Sequence, residues 1–304
     1  MLLFSSLGLT FAQPALTSTP PPSPSDYLKK LAQNTIFIYD GAATPCAHAV
    51  DKSALPLGTA FFIGLQKQKD SPEERDALWD FIITAKHVVQ DRTRIILRMN
   101  TADGSSFTCF PLTLTDANRL FAPSGVDLVS ISAPEIPNTT PQVFTPSMLL
   151  DEEKMRSYEV GVGTQVFSVG YLYGYSGEQV NYPVTKFGHI SVLTDESWFA
   201  GPLSHINEKG YIIELQNTPG LSGAPVVTYG FEFKLPFQFR VLPPYLVGVV
   251  KALMTAPVKV GPNDGSIIAI SQGIAIVEPA FSLKALVDQI VGALRSRGAK
   301  VDLN

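Results

Sequence analysis

In Asp80-Phe81-Ile82-Ile83-Thr84-Ala85-Lys86-His87-Val88-Val89, an apolar strand over Asp80–Thr84 is followed closely by a histidine. The strand's β-branched and aromatic residues suit an extended, half-buried backbone. Runs of the same kind lie on both sides. Upstream are Thr35–Tyr39 and Gly58–Ile63; downstream are Arg94–Met99, Phe107–Leu114 and Asp127–Ser132. Gly, Pro, Asn or Asp stands near most of their ends. Asp103-Gly104 reads as the turn of a hairpin between two of them. Pro134 to Pro146 then carries four prolines, and Asp151-Glu152-Glu153-Lys154 reads as a solvated connector. Strands resume at Gln165–Val169, Val184–Leu193, Tyr211–Leu215, Ala224–Val227, Phe231–Leu235, Tyr245–Val250 and Ser266–Val277. Phe281 to Arg295 is a long helix, with Leu283, Leu286, Val287, Ile290, Val291 and Leu294 at 3-4 spacing and a stop near Gly298. The order is strands, connector, strands, helix. That is an all-β chain of two units rather than an alternating βαβ one.

Three units follow. Residues 1–34 form a signal-like, Pro-rich N-terminal segment with a short helix, Tyr27 to Gln33, capped by Ser25 or Asp26. Residues 35–150 form the first β unit and 151–304 the second with its helix. Leu2 to Ala12 has the length of a signal h-region, though no basic residue precedes it, and implies a secreted or periplasmic protein. The 304 residues are 45% hydrophobic and 16% charged, with a net charge of −4 and no long basic run, so nucleic acid is a poor partner. No uncharged apolar run reaches the roughly 20 residues that span a bilayer. Two cysteines, Cys46 and Cys109, make neither a disulfide scaffold nor a four-cysteine zinc site. They are either one disulfide or two separate thiols.

Three segments carry chemistry. His87 follows the opening strand, Asp127 sits among apolar residues in Val126-Asp127-Leu128-Val129, and Ser222 sits in the turn Gly220-Leu221-Ser222-Gly223-Ala224-Pro225. A serine hydroxyl is a weak nucleophile and needs a base, normally histidine. That histidine needs a carboxylate to fix its tautomer. The oxyanion needs backbone donors, which the amides of Gly220 and Ser222 supply if the turn converges them. An acid between apolar residues is costly unless paired, and His87 is its natural partner. Any one of the three has an ordinary explanation; their joint occurrence, split between the two β units, is what singles them out.

Taken together, Thr84-Ala85-x-His87, Val126-Asp127-Leu128 and Gly220-x-Ser222-Gly223-x-Pro225 resemble the three motifs of the trypsin-like serine proteases, bacterial peptidases in particular. Gly58 to Ile63, Val169 to Gly174 and Leu246 to Val249 resemble the flanking strands, and the likeness runs over roughly residues 35–290. It implies two antiparallel Greek-key β-barrels with the C-terminal helix packed on the second. It also implies an endopeptidase with catalytic His87, Asp127 and Ser222, an oxyanion hole at Gly220 and Ser222, and a polypeptide substrate. The substrate would pair with the strand around Val247–Lys251, with Gln216, Val249, Val250 and Lys251 lining the primary pocket. No cofactor and no metal is implied. Departures are Lys86 and Ala224, where small residues and glycine are commoner. Gln216 stands six residues before the serine where trypsin has an acid, so tryptic specificity is not expected. An α/β-hydrolase fails because all four histidines precede Ser222. Two alternatives stay open: a latent or inactive regulatory module on the same fold, and an esterase using the same triad. His189 and His205 are secondary candidates for the pocket.

Overall fold

The computed structural model describes residues 24–33, 35–43, 55–67, 78–140, 143–194, 197–199, 207–216, 218–228, 231–234, 238–260 and 266–302. The signal-like stretch, Cys46 and His205 lie outside them. The first unit holds β1 (Ile36–Asp40), β2 (Gly58–Lys67), β3 (Leu78–Ala85), β4 (Arg94–Asn100), β5 (Phe107–Thr113), β6 (Arg119–Phe121), β7 (Leu128–Ser132) and β8 (Val143–Phe144). The second holds β9 (Gln165–Gly170), β10 (Val184–Val192), β11 (Ser197–Phe199), β12 (Asn207–Lys209), β13 (Tyr211–Glu214), β14 (Pro225–Thr228), β15 (Phe231–Lys234), β16 (Gln238–Val241), β17 (Leu246–Val260) and β18 (Ser266–Pro279). A short β19 (Val301–Asp302) ends the described chain. Helices are α1 (Pro24–Gln33), the single turn α2 (Lys86–Val89), α3 (Glu152–Ser157) and α4 (Ala280–Ser296).

The two units share one topology. In the first, strands run β5-β4-β1-β2-β3-β7-β6; in the second, β10-β13-β18-β17-β14-β9 close into a barrel. Each has three consecutive strands side by side, a fourth that returns beside the first, and a last that returns beside the third, the Greek-key arrangement. The first unit is a half-barrel, open between β5 and β6, with β8 and β19 added on β2. Asp103-Gly104 forms the expected turn between the antiparallel β4 and β5, with Gly104 at φ 69.

Each unit has its own core. Ile36, Ile38, Phe62, Ile82, Ile95 and Leu97 fill the first; Val166, Ile213, Val226, Val247 and Val277 fill the second. A third cluster joins them. It packs Phe61, Ile83, Leu128 and Phe144 of the first unit against Phe167, Val169, Leu246 and Val249 of the second, and α4 seals it with Leu283, Leu286, Val287, Ile290 and Val291. The helix therefore lies over both units rather than on the second alone, and β19 returns to pair with β2. The reason is in the helix sequence: its apolar stripe is long enough to face two sheets at once. Helix α1 starts at Pro24, before the expected Tyr27, and buries Leu31 in the same cluster with Tyr27 edge-on to Phe167. The acidic run at 151–154 is the start of α3, where Asp151 accepts from the Lys154 amide as an N-cap. β17 continues ten residues past Val250 to Val260, because β18 pairs with it as far as Ser266.

Candidate active site

β3 ends at Ala85, and the chain turns at once into α2, so His87 stands on a one-turn helix rather than inside the strand. Asp127 likewise precedes β7, in the loop after β6, although the sequence pattern extends the strand to include it. The cause is its hydrogen bonding. Asp127 Oδ1 accepts from the His87 amide at 2.9 Å, and Oδ2 lies 2.6 Å from His87 Nδ1. The Asp127 carbonyl accepts from the Lys86 amide at 3.1 Å. These bonds turn the residue away from the ladder. A carboxylate facing Nδ1 favours the tautomer that carries its proton on Nδ1, which leaves Nε2 as the basic nitrogen. Both side chains stay partly open to solvent, 43% for His87 and 26% for Asp127.

Ser222 belongs to a turn that is bolted to the first unit. The Thr59 amide donates to the Ser222 carbonyl at 2.8 Å, and Thr59 Oγ1 donates to the Gly220 carbonyl at 2.9 Å. Thr59 Oγ1 also accepts from the Tyr171 amide at 2.9 Å, and the Thr59 carbonyl accepts from Thr84 Oγ1 at 2.7 Å. The Gly223 amide donates to the Val250 carbonyl at 2.8 Å. Two glycines make this possible. Gly220 has φ +102, and a Cβ there would meet the Tyr171 ring at 2.5 Å. Gly223 has φ +87, and its Cβ would meet the Thr59 carbonyl at 2.1 Å. Only glycine fits both the conformation and the space. The amides of Gly220 and Ser222 donate to no acceptor among the described residues, which leaves two N–H groups in the turn for an oxyanion.

The dyad and the serine turn are thus fixed to neighbouring parts of one seam: Thr84 and Ala85, three and two residues before His87, lie against Gly223. No hydrogen bond joins Ser222 Oγ to His87. Of the pocket residues, Gln216 is exposed and lines a depression with His189, Glu214 and Phe187. Val249, Val250 and Lys251 are buried, so their side chains face the interior rather than an open cleft. Lys251 pairs there with Glu278 at 3.3 Å. Sequence reasoning missed Thr59 and Glu278 as site residues. Thr59 had a weak signal, its place in a strand resembling the one before the histidine; Glu278 had none beyond being an acid at the end of an apolar strand.

Among the described residues no cluster of His, Cys, Asp and Glu is arranged to hold a metal, and no helix is long and apolar enough to cross a membrane. Cys109 is disulfide-bonded, and the chain has one other cysteine, Cys46.

The double Greek key, one half-barrel and one closed barrel with a seam between them, is the chymotrypsin-like class of fold. Solved structures of protease domains are similar to the chain. The MamO protease domain from Magnetospirillum magneticum is 14% identical over 85% of this chain and 97% of its own, with a TM-score of 0.47. The active form of the Rv3671c protease from M. tuberculosis is 15% identical over 94% of both chains, with a TM-score of 0.48. The serine endoprotease from Yersinia pestis is 16% identical over 92% of this chain and 70% of its own, with a TM-score of 0.45. No family model matches the sequence, and no curated protein matches it.

Proposed function

We propose that the protein is a serine endopeptidase with Ser222 as nucleophile, His87 as general base and acid, and Asp127 as the group that orients His87. The observation that carries this is the His87–Asp127 pair, 2.6 Å between Nδ1 and Oδ2, set at the seam that also anchors the serine turn. In the first step Ser222 Oγ bonds to the peptide carbonyl carbon while His87 Nε2 takes the hydroxyl proton. The oxyanion sits on the Gly220 and Ser222 amides. The C–N bond then breaks, the amine leaves with the proton from His87, and water hydrolyses the acyl-serine by the same route in reverse.

A polypeptide adding as a strand cannot pair along Val247–Val249, because β14 and β18 already flank that stretch. Val250 is engaged as well, by Gly223 and Ala224. The substrate strand therefore belongs beyond Val250, with Gln216 at the primary pocket. The disulfide at Cys109 supports a secreted or periplasmic setting. A latent form of the same fold is the second reading. It is favoured by one observation, the absence of a hydrogen bond between Ser222 Oγ and His87, although such bonds often tighten only with substrate bound.

The test is turnover of a library of internally quenched peptides and of an activated ester, by wild type and by Ser222→Ala. Peptide cleavage lost in the variant supports the proposal. Ester cleavage alone makes the protein an esterase, and no turnover by folded wild type supports the latent reading.

A further inference from the structure

Behind Asp127 lies an ion pair that the reaction does not use. Lys251 and Glu278 have side chains only 4% and 5% exposed, and Lys251 Nζ stands 3.3 Å from Glu278 Oε2. The same carboxylate oxygen accepts from the Asp127 amide at 3.3 Å. Both members come from the second unit, from adjacent strands β17 and β18, while Asp127 belongs to the first. The ladder between those strands slips between Val250 and Ala252, so Lys251 is the extra residue of a bulge. A bulge re-aims the side chain it carries, and here the lysine ends up inside the protein.

A buried ion pair is a poor stabiliser, since desolvation consumes much of the attraction. Apolar residues would fill the same space at no loss. What they would not do is accept a hydrogen bond from the Asp127 backbone. Glu278 alone would place a second negative charge close behind a carboxylate that must stay ionised, which is unfavourable. Lys251 neutralises it. With this bond, the Asp127 amide, carbonyl and both carboxylate oxygens are all engaged: by Glu278, Lys86 and His87 twice. The other charged neighbour on the histidine's element, Lys86, lies over the Phe121 ring instead.

We infer that Glu278, paired with Lys251, is a positioning residue that holds the backbone of Asp127 from the opposite unit and so sets the His87–Asp127 pair. This rests on the endopeptidase reading for its purpose, but not for its geometry.

Two double variants separate the hydrogen bond from the charge. Lys251→Met with Glu278→Gln removes both charges and keeps an acceptor for the Asp127 amide. Lys251→Met with Glu278→Leu removes the acceptor too. Each is compared with wild type by thermal unfolding, by the far-downfield proton NMR resonance of the His87 Nδ1–H bonded to Asp127, and by the rate of labelling with a fluorophosphonate. Both variants are expected to fold, since neither leaves an unpaired buried charge. The glutamine variant is expected to keep the resonance. The leucine variant is expected to lose it and to label about 10²-fold more slowly, the scale of a small misplacement of a reacting group. Resonance and labelling unchanged in both variants, or lost equally in both, would overturn the inference. If wild type shows the resonance and loses it only in the leucine variant, yet never labels, the inference stands and the endopeptidase reading fails. If wild type labels and the two variants match it, the reverse holds.

Discussion

The two β units are built on one topology and differ in how they are finished. The second closes on itself, β9 to β14 and β10 to β13 and onward, and its core is complete within one barrel. The first stays open, and its inner strands β2, β3 and β7 depend on elements from elsewhere in the chain. Helix α4 and β19 cover them, while helix α1 packs on β9 and β10 of the second unit. The open unit carries the proposed base and its carboxylate; the closed one carries the proposed nucleophile turn. A site shared in this way exists only while the seam is intact. The contrast teaches that two kinds of residue should be told apart: those that hold one unit together, and those that hold the units to each other.

The largest effect is expected at the turn itself. Gly223→Ala forces a side chain into a φ of +87 and against the Thr59 carbonyl. The strained backbone alone costs about 1–3 kcal/mol, and the collision with a main-chain atom adds to it. Hydrolysis is expected to vanish and the melting temperature to fall. Peptide turnover equal to wild type would show that the turn is not held as described.

Leu286→Ala and Leu97→Ala sharpen the comparison. Both residues are fully buried, Leu286 in the seam and Leu97 in the core of the first unit. Each should lose about 2–5 kcal/mol in urea unfolding. At a temperature where both are folded, kcat/KM should fall only for Leu286→Ala. Equal losses of activity would erase the distinction between seam and core.

Thr59→Val keeps the shape and removes one hydroxyl that serves Gly220 and Tyr171. The buried Tyr171 amide is left unsatisfied, at about 1–3 kcal/mol, and the half-buried Gly220 carbonyl loses its partner as well. The effect on turnover should exceed that of Thr35→Val, whose hydroxyl bonds only Leu31 of the N-terminal helix.

The smallest effect is at Asp80, within the first unit and away from the site. Burial raises its pKa, with Lys67 opposing, and its Oδ1 has no hydrogen-bond partner. The folded state thus binds a proton more readily than the unfolded chain. Stability from this group is present in acid and is lost as pH rises through the raised value. Asp80→Asn should be slightly more stable than wild type at neutral pH and lose that advantage near the ordinary carboxylate value of about 3.9. An advantage that grows toward low pH would contradict the assignment.

The sequence made the candidate site legible because the motifs are local. Gly220 and Gly223 around Ser222, and the strand that ends at Ala85 before His87, have short-range causes that can be read residue by residue. The seam was not legible, because its causes are long-range. The family resemblance puts Lys251 in the primary pocket with Val249 and Val250; the structure buries it against Glu278, at a bulge that no local pattern announces. Glu278 acquires its role only when β18 brings it beneath a loop 151 residues away in sequence. Helix α4 announced its apolar stripe but not that two sheets share it.

The central claim is that the seam makes Ser222 a nucleophile served by His87. It is tested most directly by locating a fluorophosphonate adduct by intact mass and peptide mapping. We expect one adduct per chain, on Ser222, none in Ser222→Ala, and formation about 10²–10⁴-fold slower in His87→Ala, the usual contribution of a general base. An adduct on another residue, or equal rates in wild type and His87→Ala, would contradict the account.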